Sequence, residues 1–127
     1  MNPLIKEKPV VEVLTEEQTV VSEESHVYVH CYFNNTVKDM LIRIWKTTFL
    51  VDKYSGHRSK LVHAENISYA PMWTEVPNNA LFQFLLIFEA LPKGCSIFDL
   101  VEDIPQPGGF FVSDIMRNQT DVYHVHI

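Results

Sequence analysis

Cysteine, glycine and basic residues are all scarce in this chain of 127 residues. Its two cysteines are too few for a disulfide framework, and their spacing matches no metal motif. Ten basic against sixteen acidic residues give a net charge of -6. This charge argues against nucleic acid or an anionic membrane surface as a partner, because both are bound through basic patches. No apolar run is long enough to span a membrane, so we expect no membrane insertion.

Catalytic and export motifs are also lacking. The sequence contains no GxSxG nucleophile elbow, no GxGxxG and no phosphate-binding loop, so it predicts a protein that is not an enzyme and uses no cofactor. The N-terminal stretch MNPLIKEKPVVEVLTEEQ has no apolar segment long enough for a signal peptide. Two interpretations stay open: the protein is cytoplasmic, or an export signal was removed. The length predicts one domain over residues 1–127, with a flexible N-terminus at residues 1–8.

Short apolar and aromatic segments recur between turn signals along the chain, and this spacing is typical of an all-β fold. Eight phenylalanines, five tyrosines and two tryptophans against four glycines also favour strands. Helical periodicity is weak throughout. We therefore predict a sandwich of two antiparallel sheets with about seven to nine strands. The predicted strands are 10–14 with 19–21, 25–33, 41–50 (divided by a bend), 58–65, 81–89, 97–101, 110–115 and 121–127, and residues 66–79 are predicted as a long loop.

Three stretches over residues 41–103 follow each other in a specific order: IRIWKTTFLVD, SKLVHAENI and LFQFLLIFEALPKGCSIFDLVED. In the third, a hydrophobic strand ends in a Leu91-Pro92-Lys93 corner, followed by a Phe-Asp-aliphatic-hydrophobic-Glu segment at 98–102. This order resembles a family of uncharacterised β-sandwich domains that are common in Bacteroidetes. The resemblance implies an immunoglobulin-like fold in a bacterial protein, often exported to the periplasm or cell surface, with no established activity to carry over. Asn66 stands where many members have glycine, which leaves the turn at that position in question.

The cysteines allow two interpretations. Cys31, Trp45 and Cys95 follow the Cys…Trp…Cys order of immunoglobulin domains, in which a disulfide joins the two sheets. Alternatively, Cys31 is a buried core residue and Cys95 a partly exposed thiol, because Leu-Pro-Lys-Gly before Cys95 is typical of a turn. A reactive thiol needs a base and an electropositive setting, and Lys93 is the cation closest in sequence, with the acidic Glu102 following. We expect Cys95 to be unreactive.

Histidines near the C-terminus suggest a metal site. His124 and His126 alternate on a predicted strand, so both rings face the same side, roughly 7 Å apart at the backbone. Neutral imidazole is a common zinc ligand. If the last strand lay beside residues 25–33, His26 or His30 could join this pair. The competing interpretation is a half-exposed terminal strand, which could also pair with the same strand of a second copy.

Residues 66–79 contain the surface that we single out for binding. Tyr69, Met72 and Trp73 lie in this predicted loop, which also contains two prolines. They either cap one open end of the sandwich or form an exposed aromatic patch for a protein or glycan partner. We predict a non-enzymatic β-sandwich module that serves binding or assembly through these residues. The alternatives are a metal-binding protein or metal-dependent enzyme using His124 and His126, and a purely structural domain of a surface assembly.

Overall fold

The computed structural model describes residues 25–127, and every regular element within them is a β-strand. Over the same residues there is no helix with the length and apolar character needed to cross a bilayer. The prediction of an all-β fold is confirmed. The nine strands are β1 (Val27–Asn35), β2 (Met40–Ile42), β3 (Thr48–Asp52), β4 (Arg58–Glu65), β5 (Thr74–Val76), β6 (Ala80–Phe88), β7 (Ile97–Glu102), β8 (Phe111–Met116) and β9 (Val122–His126).

Seven of these strands form one sheet in the order β9-β1-β6-β4-β3-β7-β8, which curls into a nearly closed, barrel-like shape. Neighbouring strands are antiparallel except β9 and β1, which run parallel. That parallel pair departs from the predicted all-antiparallel pairing. Strands β2 and β5 make a separate antiparallel ribbon of two strands.

Strand β4 is the point at which the sheet turns. Its first residues pair with β3, whereas Leu61 to Glu65 pair with β6. The register shifts between Leu61 and His63, as it does at a β-bulge. A bulge bends a strand and increases its twist. The bend lets β4 pair with β3 along its first residues and with β6 along its last residues, so the sheet can curl at this strand.

The core lies inside this curl and is built from alternate residues of its strands, as period-two burial requires. The ring of Phe98 from β7 meets the ring of Tyr123 from β9 edge-on, with centroids 5.0 Å apart. This contact joins strands that are far apart in the sheet order, so it closes the interior. The other buried core side chains on these strands are Val27, Val29, Cys31, Leu50, Phe84, Leu86, Phe88, Leu100 and Val125.

Most strand predictions are within two residues of the structure. Residues 41–50 divide into β2 and β3 as expected. Residues 66–79, predicted as a loop, also contain β5 and a bridge from Tyr69 to Ile44, so that prediction is only partly right. Strand β6 has a half-exposed outer face, on which Leu81 is 54% exposed. The predicted strand at 10–14 and 19–21 and the predicted flexible residues 1–8 lie outside the described residues.

A buried carboxylate fixes the end of β7. Glu102 is only 7% exposed, and its Oε2 accepts a hydrogen bond from the backbone N–H of Trp45 at 3.0 Å. Its Oε1 accepts one from the N–H of Phe110 at 3.1 Å. A buried charge is tolerated when its oxygens are hydrogen-bonded, and here the partners are N–H groups of two connecting segments. Glu102 therefore ties the segment before β3 and the segment before β8 to the sheet.

We expect Glu102→Ala to lower the free energy of unfolding by about 2 to 4 kcal/mol, because two part-buried N–H groups lose a charged acceptor. Chemical denaturation followed by far-ultraviolet circular dichroism measures this loss. Glu75→Ala, which removes an exposed carboxylate from β5, is the matched control and should leave stability unchanged. Equal stabilities of the two variants would contradict this role for Glu102.

Candidate functional site

An aromatic and cationic surface covers the outer side of the two-stranded ribbon. Leu41 of β2 pairs with Glu75 of β5, and continuing that register places Arg43 opposite Trp73. The guanidinium carbon of Arg43 lies 4.0 Å from the ring centroid of Trp73 and 5.5 Å from that of Trp45. Arg43 thus contacts both indoles through cation–π interactions. We call the surface made by Leu41, Arg43, Trp45, Met72 and Trp73 the ribbon face.

Backbone pairing beneath the ribbon face holds it in place. Ile44 lies between Arg43 and Trp45 and is fully buried. Its N–H donates to the carbonyl of Ser68 at 2.8 Å, and its carbonyl accepts from the N–H of Ala70 at 2.9 Å. Alternation then directs the residues on either side of Ile44 outward. The side chains of Arg43 and Trp45 therefore rest on a segment that is anchored in the core.

The three binding residues predicted from the sequence have different environments. Trp73 is 52% exposed and Met72 is 67% exposed. Tyr69 instead packs against the core, where burial raises its pKa, and the Lys46 ammonium lies 5.2 Å from its ring centroid. Tyr69 is thus placed to support the surface from below.

Leu41 and Arg43 were not predicted as members of this surface, and Trp45 was considered only beside the cysteines. The sequence signal for them was the alternation in Leu-Ile-Arg-Ile-Trp, in which every second residue shares a face.

At the far end of the ribbon an open depression adjoins Glu75; its lining residues are Lys38, Asp39, Glu75, Val76, Pro77 and Asn78.

A second group of polar rings lies on the outer face of β1 and β9. The parallel register places His30 opposite His124 and Tyr32 opposite His126. The imidazoles of His30 and His124 stack with centroids 4.9 Å apart and an interplanar angle of 11°. The Tyr32 hydroxyl lies 2.8 Å from Nδ1 of His124, and its ring stacks on His126 with centroids 5.2 Å apart. We call these four residues the histidine array.

The histidine array bears on the metal site predicted from His124 and His126. The last strand does lie beside β1, and both residues are exposed. However, the ring of His124 stacks on His30, whereas the ring of His126 stacks on Tyr32, so the two predicted ligands stack on different rings. Within residues 25–127, no group of three or more His, Cys, Asp or Glu side chains is arranged to hold a metal ion.

Cys95 is buried at 5% exposure, so the expectation of a partly exposed thiol is wrong. The reason is the turn around it. Arg117 donates to the carbonyls of Pro92 and Cys95 at 2.5 and 3.4 Å and makes a paired hydrogen bond with the carboxylate of Asp121, at 3.1 and 3.0 Å. Through these hydrogen bonds, Arg117 holds the β8–β9 connection against the turn that contains Cys95. Burial, aided by the nearby Asp52 carboxylate, raises the pKa of the Cys95 thiol.

Cys31 is fully buried in the core, as predicted, and desolvation raises its pKa to about 12. Both thiols are free, so the disulfide interpretation is not realised. The Cys95 N–H donates to the carbonyl of Pro92 at 3.0 Å, which is the hydrogen bond of a turn. The Leu-Pro-Lys-Gly-Cys segment is therefore a packed corner between β6 and β7.

Comparison with family models, with curated proteins and with solved structures finds no match for this chain. Its function is therefore inferred from the chemistry of its own surfaces. Two surfaces have unusual composition among the described residues: the ribbon face and the histidine array.

The stability of the protein should depend on pH through His30. Burial, followed by the charge of His124, lowers the pKa of His30 below its ordinary value of 6.5. As the pH falls through about 6.5, the unfolded chain takes up a proton that the folded protein still excludes, so stability decreases toward acid and is recovered above this range. His30→Gln should reduce this slope, measured by denaturation at about pH 5 and about pH 7.5. An unchanged slope in the His30 variant would contradict the prediction.

Neither thiol should react readily while the protein is folded. Burial and the raised pKa of each sulfhydryl leave little thiolate at neutral pH. Iodoacetamide at neutral pH, followed by intact-mass spectrometry, should find the folded protein unmodified after a time in which the denatured protein gains two adducts. Rapid single labelling of Cys95 in the folded protein would show that its corner opens.

Proposed function

We propose that this protein is a non-enzymatic binding module that docks a protein partner on its ribbon face. The observation that carries this proposal is the contact of Arg43 with Trp73 and Trp45 on an exposed surface, next to the exposed Met72 and Leu41. Tryptophan, arginine and methionine are enriched at protein–protein interfaces, and Trp and Arg dominate the residues whose truncation weakens binding.

Preorganisation supports this role for the ribbon face. Arg43 contacts two indoles, and its Nη1 also donates to the carbonyl of Pro71 at 3.2 Å. These contacts restrict both Arg43 and Trp73 before any partner arrives. Binding then requires less ordering of side chains, which leaves more of the interaction energy for affinity.

The chemistry of the ribbon face favours protein over glycan. Sugars commonly stack on an open aromatic face, but here Arg43 already lies over the ring of Trp73. Leu41 and Met72 add aliphatic surface that suits apolar side chains. Arg43 brings a positive charge beside the two indoles, in a protein whose net charge is -6. The surface therefore fits a partner segment that combines apolar side chains with acidic ones.

We further propose that the nearly closed sheet is an immunoglobulin-like sandwich related to the Bacteroidetes domains that the sequence resembles. The bend in β4 and the packing of Phe98 against Tyr123 support two layers around one core. Loops and short ribbons on such a rigid frame are common places for binding residues. Export to the cell surface remains an implication of the resemblance.

Selection from a phage-displayed library of random peptides tests the ribbon face, because it samples many sequences and lets the surface choose among them. We expect the enriched peptides to combine aromatic or aliphatic residues with Asp or Glu. Their affinity, measured by fluorescence polarisation, should fall by at least about tenfold for Trp73→Ala and for Arg43→Ala, as truncation of central interface residues does.

Tyr54→Ala is the matched control, because Tyr54 is an exposed aromatic residue (78%) on a turn away from the ribbon. It should bind the selected peptides like the wild type. If the peptides bind all three variants equally, or if none is enriched, the proposal of a protein-binding ribbon face fails. Binding to a glycan array that is lost in Trp73→Ala would replace the protein partner with a glycan.

A further inference from the structure

We propose that His30 and His124 together bind a late first-row divalent cation, of the class of Cu²⁺ or Zn²⁺, on the outer face of β1 and β9. The proposal does not depend on the ribbon face. It also differs from the site predicted from the sequence, in which His124 and His126 were the ligand pair that His26 or His30 could join, because His126 is not a ligand here.

The backbone places the two imidazoles at a separation that a metal can span. His30 and His124 are directly opposed in a parallel ladder, in which neighbouring strands lie about 4.8 Å apart. Their rings are 4.9 Å apart and nearly parallel. A zinc–imidazole bond is about 2.0–2.1 Å long, so two such bonds bridge roughly 3 to 4 Å between nitrogens. Tilting the two outward-facing rings toward each other reaches this distance without moving the strands.

Tyr32 supplies the support that metal-bound histidines usually have. Its hydroxyl lies 2.8 Å from Nδ1 of His124. When Nδ1 carries the proton and donates to this hydroxyl, the lone pair remains on Nε2, which becomes the ligand atom.

The ligand set determines the class of ion. Two imidazoles suit Cu²⁺, Ni²⁺ or Zn²⁺ better than Ca²⁺ or Mg²⁺, which prefer oxygen. His126 stacks on Tyr32 and not on His124, so it is not counted as a ligand. With two protein ligands, solvent completes the coordination, and among divalent ions Cu²⁺ should bind most tightly.

Isothermal titration of CuCl₂ and ZnCl₂ into protein prepared without an affinity tag tests this site. We expect saturation at one ion per chain, with Cu²⁺ tighter than Zn²⁺. His30→Ala and His124→Ala should each remove saturable binding. Tyr32→Phe should keep the site but weaken it by about tenfold, which is the usual effect of losing an outer-shell partner.

His57→Ala is the matched control, since it removes one of the six histidines from an exposed turn and should bind like the wild type. All these side chains face outward or lie on turns, and thermal unfolding of each variant verifies that it is folded. Binding that survives His30→Ala, binding that is lost in His126→Ala, or a titration without saturation would each overturn the proposal. An unchanged affinity in Tyr32→Phe would refute the supporting role of Tyr32.

Discussion

The structure depends on one constraint: a single curled sheet must bury one face of every strand around a shared interior. The constraint is met where Phe98 and Tyr123 pack edge-on, because this contact joins strands that are distant in the sheet order. The bulge in β4 makes the curl geometrically feasible. Since each strand gives every second residue to the interior, the remaining residues are free to carry surface chemistry. The ribbon face and the histidine array both lie on outward-facing positions.

Polar side chains near the ends of the sheet hold the connecting segments in place through hydrogen bonds. Connecting segments leave N–H groups without ladder partners, and buried carboxylates accept hydrogen bonds from them. Glu102 accepts a hydrogen bond from the N–H of Trp45. The hydroxyl of Thr48 donates to the carbonyl of Trp45 at 2.6 Å. Trp45 is in turn one of the indoles beside Arg43. A carboxylate at the end of β7 thus fixes the backbone on which the ribbon face is built, so core stability and surface geometry are coupled.

Local patterns in the sequence carried enough information for most strands but not for their pairing. Alternation over residues 25–33 predicted β1 and its buried face, because nine residues give several periods. The three-residue strand β5 gives less than two periods, so the sequence did not distinguish it from the rest of the predicted loop. Burial of Cys95 depends on the hydrogen bonds of Arg117 to the carbonyls of Pro92 and Cys95, and the opposition of His30 and His124 depends on a parallel pairing. These contacts join residues that are distant in sequence, and no local pattern encodes them.

Register is what connects the fold to both proposed sites. In a ladder, a slip of one residue exchanges the inner and outer faces of a strand. Such a slip in β9 would turn Tyr123 and Val125 outward and bury His124, so the core strongly opposes it. The apolar residues that alternate with the histidines therefore hold the imidazoles in opposition. In the same way, burial of Ile44 directs Arg43 and Trp45 outward. At both sites the hydrophobic effect, acting on the residues between, determines where the polar chemistry lies.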